Sequence, residues 1–257
     1  MSVLTLRIVS RLMSYPCDAL QAAVPEMLEV LEREAVLPEA HQQALAGFLS
    51  HARETALLEL QERYVATFDR GRNLSLHLFE HVHGESRDRG QAMVDLVHHY
   101  RANGFMLAAR ELPDHLPLML EFLSTPPREE AAKLLGDAMP VIVLLGARLR
   151  EAGSNYAVLF DAIEALVGTP TEAEAMRREA ASEGPDETIQ KMDEIWEEEQ
   201  VSFLGNSDPA GGGCPVNRPG PRRPTESRVQ WTHARSGKRT TPRARAEKKS
   251  PWNTASS

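Results

Sequence analysis

His77, His81 and His83 form H-x-x-x-H-x-H, a spacing that could hold a metal ion because imidazoles four residues apart share one face of a helix. The third ring leaves that face, and Gly84 ends the helix at once. No H-E-x-x-H or paired C-x-x-C accompanies them. An ordinary polar or peptide-contacting role is therefore favoured over a metal site. His98 and His99 are adjacent, point to different faces and read as structural or solvent-exposed. Catalytic motifs leave equally little trace. There is no G-x-S-x-G and no phosphate loop, and neither Cys17 nor Cys214 is paired with a histidine in sequence. Glu129 with Glu130, and Glu197 to Glu199, are most simply solvated faces. The expectation is a protein that is not an enzyme, with no catalytic and no metal-ligating residues.

Two segments carry more than packing. In Tyr64 to Gly90, YVATFDRGRNLSLHLFEHVHGESRDRG, the apolar Leu74, Leu76, Leu78 and Phe79 interleave with Asp69, Arg70, Arg72, His77, Glu80, His81, Arg87 and Asp88. In Arg110 to Phe122, RELPDHLPLMLEF, Glu111, Pro113, Asp114, His115 and Pro117 concentrate charge and restricted backbone at one helix start. Taken singly, each residue could merely stitch a turn. Together they predict a surface mixing apolar contacts with both charge signs, of the kind that receives an amphipathic peptide.

The elements that must position these segments are all helical. Val3–Met13 places Leu4, Ile8, Val9, Leu12 and Met13 close to one face. Asp18 is placed to cap a second helix that Pro25 should bend or restart. Apolar three-and-four spacing from Glu39 to Phe68 predicts one long helix, or two with a break near Ser50. Leu76 to His83 has room for one or two turns. Met93, Leu96, Val97 and Tyr100 form the inner face of a helix ended by Asn103 and Gly104. Asp114 is expected to cap a helix running to about Leu123, with Pro117 tolerated in its first turn. Helices over Glu129–Ala152 and Tyr156–Val167 should stop at Gly153 and Gly168. No stretch shows convincing strand alternation.

Charge divides the 257 residues further. Up to Ala210, 18 Lys and Arg face 35 Asp and Glu, a net of −17, whereas Gly211 to Ser257 carries 11 against 2, a net of +9. This predicts a helical domain over 1–170, an acidic linker with a short helix over 171–204, and a disordered basic tail over 205–257 holding 7 Pro and 6 Gly. The short helix would present Ile189, Met192, Ile195 and Trp196 on one side, and either pack back on the body or fold on a partner. The tail's Arg and Lys with Trp231 could touch nucleic acid, but the acidic body argues against that use. The longest apolar stretch, around PVIVLLGA, stops at Arg148, short of the roughly 20 residues a bilayer span needs. Two distant cysteines exclude a disulfide framework and suit a reducing compartment.

At these residues the sequence resembles a known family. RELPDHLPLMLEF is similar to the Glu-x-Pro-Asp-His signature of the TorD-like redox enzyme maturation chaperones. YVATFDRGRNLSLHLFEHVHGESRDRG is more particular and resembles the NarJ family, the assembly chaperones (delta subunits) of respiratory nitrate reductase. The resemblance runs from RLMSYP near the start to about Leu204 and does not reach the basic tail. It implies an all-α chain, a single TorD-like helical bundle, acting as a cytoplasmic chaperone. Such proteins bind the N-terminal segment of the apo catalytic (alpha) subunit and hold it competent for insertion of the molybdenum cofactor and an iron–sulfur cluster before membrane docking. Both groups belong to the client, so no cofactor is expected to be bound stably. Molybdenum cofactor biosynthesis proteins are further candidate partners, no nucleic acid is expected, and the membrane is met only through the client. A sister chaperone serving another molybdoenzyme is the alternative.

The expected client site follows. A groove lined by Leu74, Leu76, Leu78, Phe79, Leu112 and Leu116 would take the apolar face of a client helix, and Pro113 is counted among the peptide-binding residues. Asp69, Glu80, Glu111, Asp114 and Glu121 would select its basic residues, since a net acidic body favours a cationic segment. Arg70, Arg87 and Arg110 would orient those carboxylates or meet client acids. Protonation of His77, His81 and His115 would weaken the contact.

Overall fold

Apolar residues recur at helical spacing, and over the described residues these runs form helices that bury an apolar face against their neighbours. The computed structural model describes residues 3–83, 86–107, 111–125, 128–184 and 186. Among the described residues the α-helices are α1 (Val3–Leu12), α2 (Asp18–Glu34), α3 (Glu39–Glu54), α4 (Leu57–Tyr64), α5 (Leu78–His83), α6 (Asp88–Ala102), α7 (Leu116–Leu123), α8 (Arg128–Glu151), α9 (Ala157–Val167) and α10 (Ala173–Ser182). Among the described residues there is no strand, only an isolated antiparallel bridge between His77 and His115. No helix among them is long and apolar enough to cross a membrane. The expected short helix over DETIQKMDEIWEEEQ beyond Asp186 and the basic tail lie outside the described residues.

α1 is the innermost of the N-terminal helices. Leu6, Val9, Leu12 and Met13 are fully or almost fully buried, and α1 packs on α2, α7 and α9. Its two buried hydroxyls are satisfied, as burial requires. The Thr5 hydroxyl donates to Glu34 Oε2 at 2.7 Å, and the Ser10 hydroxyl to the Pro117 carbonyl at 2.7 Å. α2 begins at Asp18 itself, and Cys17 holds the cap position without a side-chain bond. Pro25 neither ends nor restarts α2, which continues to Glu34. The break expected near Ser50 falls at Thr55 and Ala56. There the Thr55 hydroxyl and amide both donate to the His51 carbonyl, and Gln21 Nε2 donates to the carbonyls of Ala52 and Thr55.

After α4 the helix widens into a π-helical turn over Val65–Asp69. This register shift leaves Phe68 buried and turns Asp69 outward. Phe68 stands edge-on to Tyr156 with ring centroids 4.8 Å apart, and Tyr64 adds an OH bond to the Met13 carbonyl.

α8 carries the second half of the core. Leu135, Ala138, Ile142, Leu145 and Leu149 are buried along it, and α9 and α10 pack against it. Gly153, at φ +66°, reverses the chain into α9, and Gly168, at φ +107°, ends α9, both as anticipated. Where α8 packs on α9, a Cβ on Gly146 would lie 2.9 Å from Phe160 Cβ, closer than packed carbons approach. Gly146→Ala should therefore lower stability by about 1–2 kcal/mol, overpacking outweighing alanine's better helix propensity. Gly136→Ala on the same helix, where a Cβ meets nothing within 4 Å, should raise it by up to about 1 kcal/mol. Urea unfolding of the two variants checks the pair, and equal signs would refute the close approach.

Candidate functional site

The two segments singled out in the sequence lie side by side. The Leu78 amide donates to the Asp114 carbonyl at 3.1 Å and the Leu116 amide to the Leu76 carbonyl at 2.8 Å. Between these bonds the His77 and His115 rings lie 5.1 Å apart. Asp114, fully buried, works across this bridge. Its Oδ2 accepts the Phe79 amide at 3.1 Å, and its Oδ1 lies 3.3 Å from His77 Nδ1. Asp114 therefore caps α5, not α7 as its sequence neighbours suggest. The cap position of α7 is His115, without a side-chain bond, and Pro117 falls in the first turn, where no helical amide bond is lost. Tyr100 anchors the same corner from α6, its buried OH donating to the Pro113 carbonyl at 2.8 Å.

Beside the bridge opens a cleft of about 430 Å³ lined by Phe68, Asp69, Arg70, Gly71, Arg72, Ser75, His77 and Glu80. Asp69 and Arg70 are exposed at its mouth. Partial burial raises the Asp69 carboxyl above its usual range, against the opposing pull of His77. For Glu80, burial is outweighed by hydrogen bonds from Ser75 and Arg89, and its pKa is lowered. The Glu80 pair is made by Arg89, at 3.0 Å, whereas Arg87 is exposed at the start of α6. Glu111 and Leu112 are exposed, Leu112 by 45%. The Glu111 charge reaches both His77 and Tyr64.

Several expected groove residues are placed elsewhere. Leu76, Leu78, Phe79 and Leu116 are core residues, Pro113 is buried and Leu74 is half-buried against the core. In this conformation Leu74 keeps part of its surface, whereas the buried residues offer almost none to a client because they are packed from the inside. They form the frame, and Leu112 is the exposed apolar residue of the set. Glu121 is only 8% exposed and pairs with Arg11 at 3.1 Å, so it belongs to the α1–α7 contact. Arg110 lies outside the described residues.

The three histidines also part company. The Asp114 hydrogen bond raises the His77 pKa, against the cost of burial, and Asp114, Glu80 and Glu111 add charge attraction. Burial lowers His81, and Arg148 adds to it. Burial, reinforced by His77, lowers His115 to about 4. Of the three rings expected to titrate together, His77 is thus shifted upward and His81 and His115 downward. His81 is held at both ring nitrogens, by the Ser75 carbonyl at 2.8 Å and by Arg148 at 3.3 Å. Among the described residues no group of three or more His, Cys, Asp or Glu is arranged to hold a metal ion.

Sequence reasoning missed Arg11, Arg89 and Arg148. Arg148 left a signal, since it terminates the apolar run PVIVLLGA on a helix whose neighbouring turns are buried.

The chain has relatives among known proteins. Residues 18–162 match the family described as nitrate reductase delta subunit. The chain is 47% identical over 204 residues to the nitrate reductase molybdenum cofactor assembly chaperone NarJ of Escherichia coli (strain K12), covering 79% of this chain and 86% of that protein. It is 40% identical over 213 residues to a protein of the same strain named a probable nitrate reductase molybdenum cofactor assembly chaperone, NarW, covering 83% and 89%. A probable chaperone of the same description from Bacillus subtilis (strain 168), also named NarJ, is 31% identical over 168 residues, covering 64% and 88%.

Proposed function

This chain belongs to the nitrate reductase delta subunit family, and on that premise we propose that it is a system-specific chaperone for respiratory nitrate reductase. It binds the N-terminal segment of the apo catalytic subunit in the cytoplasm and holds it competent for insertion of the molybdenum cofactor and an iron–sulfur cluster. It then stays behind when the enzyme docks on the membrane. It holds no cofactor of its own and catalyses no reaction. Its relatives are named as assembly chaperones, which supports a binding role. Proteins that make the molybdenum cofactor are the second class of partner.

The observation that carries the reading is the cleft beside the His77–His115 bridge. Asp69 and Glu80 line it, and Glu111 lies within electrostatic reach of His77, while Leu112 is exposed next to Glu111. A client helix can set basic residues against these carboxylates and an apolar residue on Leu112. Arg70 and Arg72 give the same cleft a cationic side that fixes orientation.

Calorimetry with a synthetic peptide covering the N-terminus of the nitrate reductase catalytic subunit tests this. Saturable 1:1 binding is expected, weakened roughly tenfold in Asp69→Asn/Glu111→Gln, whose parent side chains are both exposed and leave the fold intact. A soluble peptide that does not bind would reject the client reading. Equal affinity in the variant would move recognition away from this cleft.

A further inference from the structure

Arg148 lies near the end of α8 with only 14% of its side chain exposed. Nε and Nη2 donate to the two carboxylate oxygens of Glu183, just past α10, at 2.6 and 2.5 Å. Nη1 donates to the Asn73 carbonyl at 3.0 Å and to His81 Nδ1 at 3.3 Å. The other side of the same residue is held as well, the Asn73 amide donating to Asp186 Oδ2 at 3.0 Å. His81 closes the arrangement, because its Nε2 meets the Ser75 carbonyl at 2.8 Å. A carbonyl only accepts, so Nε2 carries the proton and Nδ1 is left as the acceptor for Arg148. The loop from Arg70 to Ser75, which contributes Arg70, Gly71, Arg72 and Ser75 to the cleft, is thus tied to the chain segment that follows α10.

We infer that Arg148 is a positioning residue for the client cleft: with Glu183 and Asp186 it holds the loop over residues 70–75 in the binding conformation, so that the end of α10 sets the affinity of a site it does not line. The inference rests on the client reading of that cleft. A surface loop without regular hydrogen bonding samples several conformations, and apparent affinity falls in proportion to the fraction that is competent. The planar guanidinium serves Glu183 on one edge and Asn73 with His81 on the other. A lysine ammonium, a point charge without that fork, cannot span both.

The test uses the full chain and three changes: Arg148→Gln, Arg148→Lys and the reciprocal pair Arg148→Glu with Glu183→Arg. Affinity for the catalytic-subunit N-terminal peptide is read by calorimetry, unfolding by circular dichroism, and the amides of residues 71–76 by hydrogen exchange. Arg148→Gln and Arg148→Lys should weaken binding roughly tenfold, the change expected if the competent fraction falls to about a tenth, and should speed exchange over 71–76. The reciprocal pair separates positioning from packing. It restores an ion pair between α8 and the end of α10 and so the thermal stability. It supplies no donor at position 148 for the Asn73 carbonyl or His81, so the affinity should stay low. Full affinity in the reciprocal pair, or unchanged exchange over 71–76 in Arg148→Lys, would overturn the inference. Should the wild-type protein itself fail to bind the peptide, the client reading fails. Exchange then decides on the tie alone: faster exchange confined to 71–76 upholds it and unchanged exchange removes it.

Discussion

Asp114→Ala is expected to lower the unfolding free energy by about 3 kcal/mol. A side-chain cap contributes about 0.5–2 kcal/mol and a buried hydrogen bond to a charged group about 1.5–3 kcal/mol. Asp114 combines the two, since the carboxylate that accepts the Phe79 amide also partners His77, and it has no exposure to water that could replace either bond. For a chain of this size the loss corresponds to a fall in Tm of about 6–12 °C. Asp114→Asn keeps an acceptor for the Phe79 amide but removes the charge facing His77, and should recover about half. Guanidinium titration followed by circular dichroism reads all three proteins. A loss below about 1 kcal/mol for Asp114→Ala would mean that the bridge holds without its cap. The peptide affinity of Asp114→Ala will fall too, through the fold, which is why the exposed Asp69 and Glu111 are the proper probes of recognition.

The second large effect is a loss of stability in acid traced to His115. Burial holds this imidazole at about 4, below the ordinary 6.5 of an unfolded chain. Below pH 6.5 the unfolded state takes up a proton that the folded state refuses. The contribution of His115 is therefore complete above pH 6.5 and is lost as the pH falls towards 4, amounting to roughly 2–3 kcal/mol by pH 4.5. His77 acts with the opposite sign, because Asp114 raises its folded pKa. Its contribution is complete below pH 6.5 and is lost as the pH rises through the folded value. His115→Gln should thus flatten the decline in stability between pH 8 and pH 4.5 by roughly 2–3 kcal/mol, whatever constant offset the substitution introduces. Urea unfolding at pH 8, 6.5, 5.5 and 4.5 is the measurement. Parallel curves for wild type and variant would show that His115 is hydrated enough to protonate freely.

Helical periodicity makes most of the described elements legible in the sequence itself. The α6 face built on Leu96 and Tyr100, the reversal at Gly153 and the stop at Gly168 all depend on residues close in sequence, and local rules suffice there. The same rules misplaced the cap of Asp114. Pro113-Asp114 before an apolar run has the form of a helix start, yet its carboxylate serves a helix 35 residues earlier. Nothing local distinguishes the two uses. Leu76, Leu78 and Phe79 looked like a binding surface because polar residues flank them, but their partners come from other parts of the chain and close over them.

Residue types and spacing determined that this chain is helical, that it carries no recognisable catalytic motif, and that two segments matter, because those properties reside in the order of neighbouring side chains. The tertiary structure decided that the two segments meet at His77 and His115, which carboxylates are buried and which remain available, and that Arg148 reaches the cleft loop from α8. Those outcomes depend on which distant groups exclude water from one another. Hydrogen bonds spanning 35 to 75 residues form only when the whole core has closed around them.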